Sequence, residues 1–145
     1  MELEKRALIV EDDEDIQDLL VASMETRGFA CDVAPNLNTS LEYIALNSYD
    51  VIITDNHFPE KEGWPEEPNK GVELIERIKK QNLQKQVILI MHSGSAYGLS
   101  YAESIGIKTI RKEFDNLDYC LDIYLRDPNA KCAKKPCFFE RLFGE

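Results

Sequence analysis

Val51-Ile52-Ile53-Thr54-Asp55 is the stretch whose reading decides the fold. Three β-branched apolar residues in a row leave no polar face, which fits a strand buried on both sides. Such a strand needs neighbours at both edges and helices above and below. It ends on a carboxylate, and Asn56, His57, Phe58 and Pro59 follow. In an open α/β sheet, ligands bind outside the carboxyl ends of the strands. Asp55 therefore falls where such a fold does its chemistry. Taken alone, it would read as a strand-ending residue that caps a turn.

Working outward, three more runs have the same character. Ala7-Leu8-Ile9-Val10 ends on Glu11-Asp12-Asp13, and Val87-Ile88-Leu89-Ile90-Met91 ends on His92-Ser93-Gly94. The short run Thr109-Ile110-Arg111 ends on Lys112. If the strands are parallel, one edge gathers an acidic cluster, a central aspartate, a hydroxyl and a lysine. These are the groups needed to bind a divalent cation and hold a phosphoryl group.

The segments between the strands have helical spacing. From Glu14 to Arg27, residues Ile16, Leu19, Leu20, Ser23 and Met24 share one face, and Gly28 follows as a C-cap. Ala30 to Ala34 reads as an edge strand, and Asn36 or Asn38 caps a short helix through Leu41, Ile44 and Ala45. Helices are predicted over Gly71 to Gln81, Tyr97 to Ile105 and Asp115 to Arg126. Residues Pro59 to Gly71, with three prolines, two glycines and four glutamates, read as a loop. It is long for a βα connection, where about 2–6 residues is usual. Five βα units predict a parallel sheet with helices on both faces.

The 145 residues suit one domain with a real core. A net charge of −10, from 27 acidic and 17 basic residues, argues against a nucleic-acid surface and suits protein partners. The start of the chain lacks a signal-peptide core, and no apolar run reaches the ~20 residues of a membrane span. Cys31, Cys120, Cys132 and Cys137 follow no disulfide or zinc pattern, so reduced thiols and a cytoplasmic location are expected.

With these residues in place, the chain resembles the receiver domain of two-component response regulators. The motifs are Ile9-Val10-Glu11-Asp12-Asp13, Ile52-Ile53-Thr54-Asp55 with Pro59 beyond it, Ser93-Gly94 and Lys112. The resemblance covers residues 5–126 and leaves 127–145 as a basic and aromatic tail. It implies a flavodoxin-like (βα)5 doubly wound sheet of order 2-1-3-4-5. It further implies that Asp55 accepts phosphate from a histidine kinase, a phosphotransfer protein or a small phosphodonor. Asp12 and Asp55 would ligate Mg²⁺, with Glu11 acting through water and the His57 backbone carbonyl completing the set. Ser93 would bond a phosphoryl oxygen and Lys112 would pair with the phosphate. Such a protein is a signalling receiver in a phosphorelay. It is not a conventional enzyme: its only turnover would be self-phosphorylation and autodephosphorylation.

Several residues depart from the family's pattern. Glu113 stands where proline usually follows the lysine, and Thr109 stands where the family often has an aromatic. In the family that aromatic rotates inward when the Ser/Thr moves, so Thr109 predicts a weak switch there and a response nearer the Pro59–Gly71 loop. His57 and Ser95 occupy places that tune phosphate loss, and His57 also reads as a metal ligand or a solvated loop residue. One competing reading is a phosphohydrolase of the haloacid-dehalogenase type, but it wants a second Asp where His57 stands. Another is a receiver-like interaction module without phosphorylation. The segment after Arg126 is expected to be too short for a DNA-binding domain, leaving output through an unnamed protein. In that tail, Lys131, Lys134 and Lys135 precede Phe138, Phe139, Leu142 and Phe143. It reads either as a docking element for a partner or membrane surface, or as a segment packed back on the domain.

Overall fold

The computed structural model describes residues 4–81 and 86–127. The tail and its expected docking role lie outside the described residues. Twelve elements alternate along the described chain: β1 (Lys5–Val10), α1 (Glu14–Thr26), β2 (Phe29–Ala34), α2 (Leu37–Leu46), β3 (Val51–Thr54), β4 (Phe58–Pro59), β5 (Glu66–Glu67), α3 (Lys70–Lys80), β6 (Ile88–Ser93), α4 (Ala96–Ser104), β7 (Lys108–Arg111) and α5 (Leu117–Arg126). Five strands form one parallel sheet of order β2-β1-β3-β6-β7. With the two-residue strands β4 and β5 set aside, this is the expected order 2-1-3-4-5.

β3 is central because its side chains are apolar on both faces. Val51 and Ile53 point into one layer with Ala7 and Ile9 of β1, Leu20 and Met24 of α1, and Leu121 and Tyr124 of α5. Ile52 points into the opposite layer with Leu8, Val10, Leu37 and Ile44 of α2, and Leu74 and Ile78 of α3. Met91 extends that second layer to Leu99 and Ala102 of α4. The alternation follows from the two-residue period of a strand. Each buried Val, Leu, Ile or Met side chain contributes about 1.5–3 kcal/mol, so the two layers together hold the sheet between its helices.

Local chemistry sets the helix starts. Asp13, Asn36, Ser95 and Asn116 are N-caps, each accepting from a backbone N–H in the first turn of its helix. Of the two candidate caps for α2, Asn36 is used and Asn38 lies within the helix. The last helix starts at Leu117, later than expected, because Asp115 instead clasps Arg111 at 2.8 Å. β6 runs on through His92 to Ser93, so Ser93 ends a strand where a loop position was expected.

The Pro59–Gly71 segment is the largest difference from the sequence reading. β4 and β5 pair antiparallel within it, Phe58 opposite Glu67 and Pro59 opposite Glu66. Phe58 is fully buried in the α2–α3 layer and anchors one arm. Lys70 anchors the other, with its ammonium 2.9 Å from Glu60, 3.1 Å from Glu73 and 3.6 Å from Glu67. The Glu60 carbonyl also accepts from the Asn38 N–H at 2.9 Å, tying the hairpin to α2.

α3 enters close to the end of β3. A Cβ on Gly71 would strike the Asp55 carbonyl oxygen and come within 2.8 Å of the Asn56 Cα. Both neighbours are backbone and cannot move aside. Gly71→Ala is therefore expected to cost about 1–3 kcal/mol, the usual range for overpacking, read as a lower midpoint in chemical denaturation with an unchanged slope.

Candidate functional site

The carboxyl ends of β1, β3, β6 and β7 share one edge, and the expected residues meet there. Glu11 follows β1, Asp55 follows β3, Ser93 ends β6 and Lys112 follows β7. The Lys112 ammonium lies 2.9 Å from Asp55 Oδ2 and 3.0 Å from Glu11 Oε1. Both carboxylates are almost fully buried. Asp12 joins them: one oxygen from each of Glu11, Asp12 and Asp55 falls within 4.8 Å of the others. A cluster of hard oxygen donors of this kind fits a divalent cation such as Mg²⁺.

The acidic run divides its work. Asp13 caps α1 through bonds from the Asp15 and Ile16 N–H groups at 2.9 and 3.3 Å. Its own N–H donates to Glu11 Oε2 at 3.2 Å. Glu11 is thus held from both sides, and only Asp12 faces the cluster without a backbone duty.

Ser93 is buried beside Lys112, whose N–H donates to the Ser93 carbonyl at 3.1 Å. The Ser93 hydroxyl accepts from the Ser95 N–H at 3.0 Å, which turns it toward α4. His57 is half-buried on the loop that leaves β3. Glu113, in place of the family's proline, takes a left-handed backbone with φ of 72°. Thr109 is buried, and its hydroxyl donates to Glu103 of α4 at 2.8 Å.

Three contributors escaped the sequence reading. Asn56 is fully buried and its N–H donates to Asp55 Oδ1 at 2.6 Å. Its side-chain amide donates to Asn69 at 3.0 Å and to Ser95 at 3.3 Å, and its carbonyl accepts from the Val72 N–H at 3.1 Å. One asparagine thus braces the phosphoacceptor candidate against the starts of α3 and α4. A Cβ on Gly98 would collide with that amide, so α4 needs glycine there. Glu66, carried by β5, is exposed and feels the charges of Asp12 and Asp55. His92 is buried beside the site, and its Nδ1 has no protein partner.

The electrostatics follow from burial and crowding. Burial first, then the neighbouring Asp55 charge, pushes the Glu11 carboxyl up to about 7 despite Lys112. Burial works to lower the Lys112 ammonium, but the Asp55 and Glu11 carboxylates leave it above its ordinary value. Burial, then Asp12, then Asp55 raise Glu66. Burial and the Lys112 charge lower His92 to about 4. The site carries more negative charge than one lysine balances, which is the condition a bound cation relieves.

This edge, with its acidic cluster and lysine on a parallel five-stranded sheet, has the form of a phosphate-accepting receiver. The chain belongs to the response regulator receiver domain family, whose pattern it matches over residues 7–121. Among characterised proteins it is similar to the transcriptional regulatory protein DltR of Streptococcus agalactiae, 25% identical over 92 residues. That match spans 63% of this chain and 38% of DltR. The transcriptional regulatory protein PmrA of Pectobacterium parmentieri is 29% identical over 85 residues, 59% of this chain and 35% of PmrA. The chain therefore aligns with well under half the length of these relatives. In fold it is similar to a CheY-like receiver domain from Methylobacillus flagellatus, with a TM-score of 0.69 at 19% identity, covering 86% of this chain and 98% of that one. It is also similar to the response regulator TrrA of Thermotoga maritima in complex with Mg²⁺ and BeF, with a TM-score of 0.67 at 24% identity, covering 84% and 97%. No helix among the described residues is long and apolar enough to cross a membrane.

The raised Glu11 carboxyl has a measurable consequence. In the native state it binds its proton up to about pH 7, whereas the unfolded carboxyl releases it near 4.5. Native Glu11 thus holds more protons between those values, and its contribution to stability falls as pH rises through that window. In metal-free buffer, Glu11→Gln is expected to reduce the loss of thermal stability between pH 4.5 and 7. A pH profile that keeps the wild-type slope would show that Glu11 does not titrate there.

Proposed function

We propose that residues 5–126 form a signalling receiver phosphorylated on Asp55 in a Mg²⁺-dependent reaction. The observation that carries this is the buried Asp55 carboxylate, 2.9 Å from Lys112 and grouped with Glu11 and Asp12. Asp12 and Asp55 are the direct ligands in this reading, with Glu11 acting through water and the His57 carbonyl supplying a backbone oxygen. The bound ion supplies the positive charge that lets a carboxylate approach a phosphoryl group. The similarity to TrrA, solved with Mg²⁺ and BeF, supports the choice of metal.

An Asp55 oxygen attacks phosphorus as the bond to the donor's leaving group breaks, and that group departs with the electron pair. Lys112 stays beside Asp55 as a compact positive charge for the phosphoryl oxygens. Ser93 exchanges its bond with the Ser95 N–H for one donated to a phosphoryl oxygen. The Asn56 N–H holds Asp55 Oδ1 at 2.6 Å, so the attacking oxygen is Oδ2, the one facing Lys112. The donor in the cell is a histidine kinase or phosphotransfer protein, and the output is a protein contact.

Incubation with acetyl phosphate and Mg²⁺ is expected to add one phosphoryl group by intact mass, and Asp55→Asn to abolish it. Labelling of the mutant at the wild-type level would overturn the assignment. Steady turnover of general phosphomonoesters would instead favour a phosphohydrolase.

The route of the signal is a second expectation. Thr109 is small and already bonded to Glu103, so no aromatic follows Ser93 inward. The β4–β5 hairpin lies beside the site through Glu66. Binding of beryllofluoride with Mg²⁺ is expected to change amide exchange most over residues 59–71. Changes confined to residues 94–113 would place the response on α4 and β7.

A further inference from the structure

Every polar atom of the fully buried Asn56 is bonded. Its backbone N–H holds Asp55 Oδ1, and its carbonyl accepts from the Gly71 N–H at 3.1 Å. The carboxamide has one orientation. The Val72 N–H, 3.1 Å away, can only donate, so it fixes which end of the amide is oxygen. The two amide hydrogens then go to Asn69 Oδ1 at 3.0 Å and to Ser95 Oγ at 3.3 Å. Ser95 in turn donates its N–H to the Ser93 hydroxyl at 3.0 Å. A continuous chain of contacts therefore runs from Ser93 through Ser95 and Asn56 to Asn69.

The Asn69 end is not a by-product of helix capping. Asn69 is the N-cap of α3 and has a left-handed backbone with φ of 64°, yet its side chain makes no cap bond. Its oxygen goes to Asn56 instead. Only Pro68, with its fixed φ, separates Asn69 from β5, so Asn69 is the foot of the β4–β5 hairpin. We propose that Asn56 is a positioning residue whose carboxamide passes the movement of the Ser93 hydroxyl to the hairpin through Asn69. This rests on the reading of Asp55 as the phosphoacceptor. When the Ser93 hydroxyl turns to a phosphoryl oxygen, the Ser95 N–H loses its acceptor. The 3.3 Å bond to Ser95 is the longest that Asn56 makes, and it gives first. A buried amide hydrogen without an acceptor is costly, so the carboxamide shifts and Asn69 moves with it.

The test is amide hydrogen exchange of the full chain with and without beryllofluoride and Mg²⁺. Asn69→Gly removes the acceptor and suits the positive φ. Asn69→Asp keeps an acceptor oxygen and also tolerates that backbone. Asn69 is exposed, so neither substitution opens the core. Wild type and Asn69→Asp are expected to change exchange over residues 59–67 on binding. In Asn69→Gly that change is expected to shrink about two- to tenfold, the range one hydrogen bond supplies. All three chains are expected to take one phosphoryl group from acetyl phosphate by intact mass. A change as large in Asn69→Gly as in wild type, an equal loss in both variants, or no change over 59–67 in wild type would overturn the relay and leave Asp55 standing as phosphoacceptor. A wild-type chain that takes no phosphate would overturn both.

Discussion

The Lys112 ammonium is the contact on which the arrangement depends. It enters from the end of β7, passes the end of β6, and bonds carboxylates that follow β3 and β1. Without it, Glu11 and Asp55 would be two buried like charges, and burying uncompensated charge is more costly than any single packing contact in the domain. One cation does not neutralise the cluster, because Asp12 and Glu66 add to it. Burial first and the Asp55 charge second keep the Glu11 carboxyl raised even beside Lys112. A receiver needs this state. The pocket must be negative enough to attract a metal ion, yet hold a fixed positive charge where the phosphoryl group will sit.

The sheet is what brings the charges close. Parallel strands of similar length put their carboxyl ends on one line, and the residues just past those ends are freed from the ladder. Each of Glu11, Asp55, Ser93 and Lys112 stands at or just past the end of a strand, so strand packing and site geometry are set together. Asn56 then converts position into orientation. Its bonds to Asp55, Val72, Asn69 and Ser95 fix one carboxylate oxygen and couple that oxygen to the starts of two helices. Gly71 and Gly98 are the space that this bracing requires.

What was legible in the sequence was whatever a short window determines. Val51-Ile52-Ile53 and Ala7-Leu8-Ile9-Val10 announce two-sided burial by themselves, and Asp55, Glu11, Asp12, Ser93 and Lys112 stand out as polar residues at the ends of such runs. The β4–β5 hairpin was not legible, because strands of two residues, with Pro59 and Glu66 among them, have no period to read. The work of Asn56 was hidden for a different reason. It depends on glycines 15 and 42 residues away in sequence, at positions 71 and 98, and only the folded chain puts them against it. The strand was read as ending at Met91, although β6 carries His92 and Ser93 inside, since a polar pair after Met91 breaks the apolar pattern while the backbone ladder continues.

The two departures from the family's pattern are linked by the path of β7. Thr109 bonds Glu103 through its side chain, and its carbonyl accepts from the fully buried Tyr124 hydroxyl at 2.8 Å. β7 is therefore held to α4 on one side and α5 on the other. Just beyond Lys112, Glu113 adopts a left-handed backbone, a conformation a proline with its fixed negative φ could not take. A pocket can respond to phosphate only through parts with a second arrangement open to them. With β7 clasped by both helices, the arm of the β4–β5 hairpin that carries Glu66 is exposed, while Phe58 holds the other arm in the core. In the proposed receiver reading, this hairpin is the part that would sense the charge at Asp55.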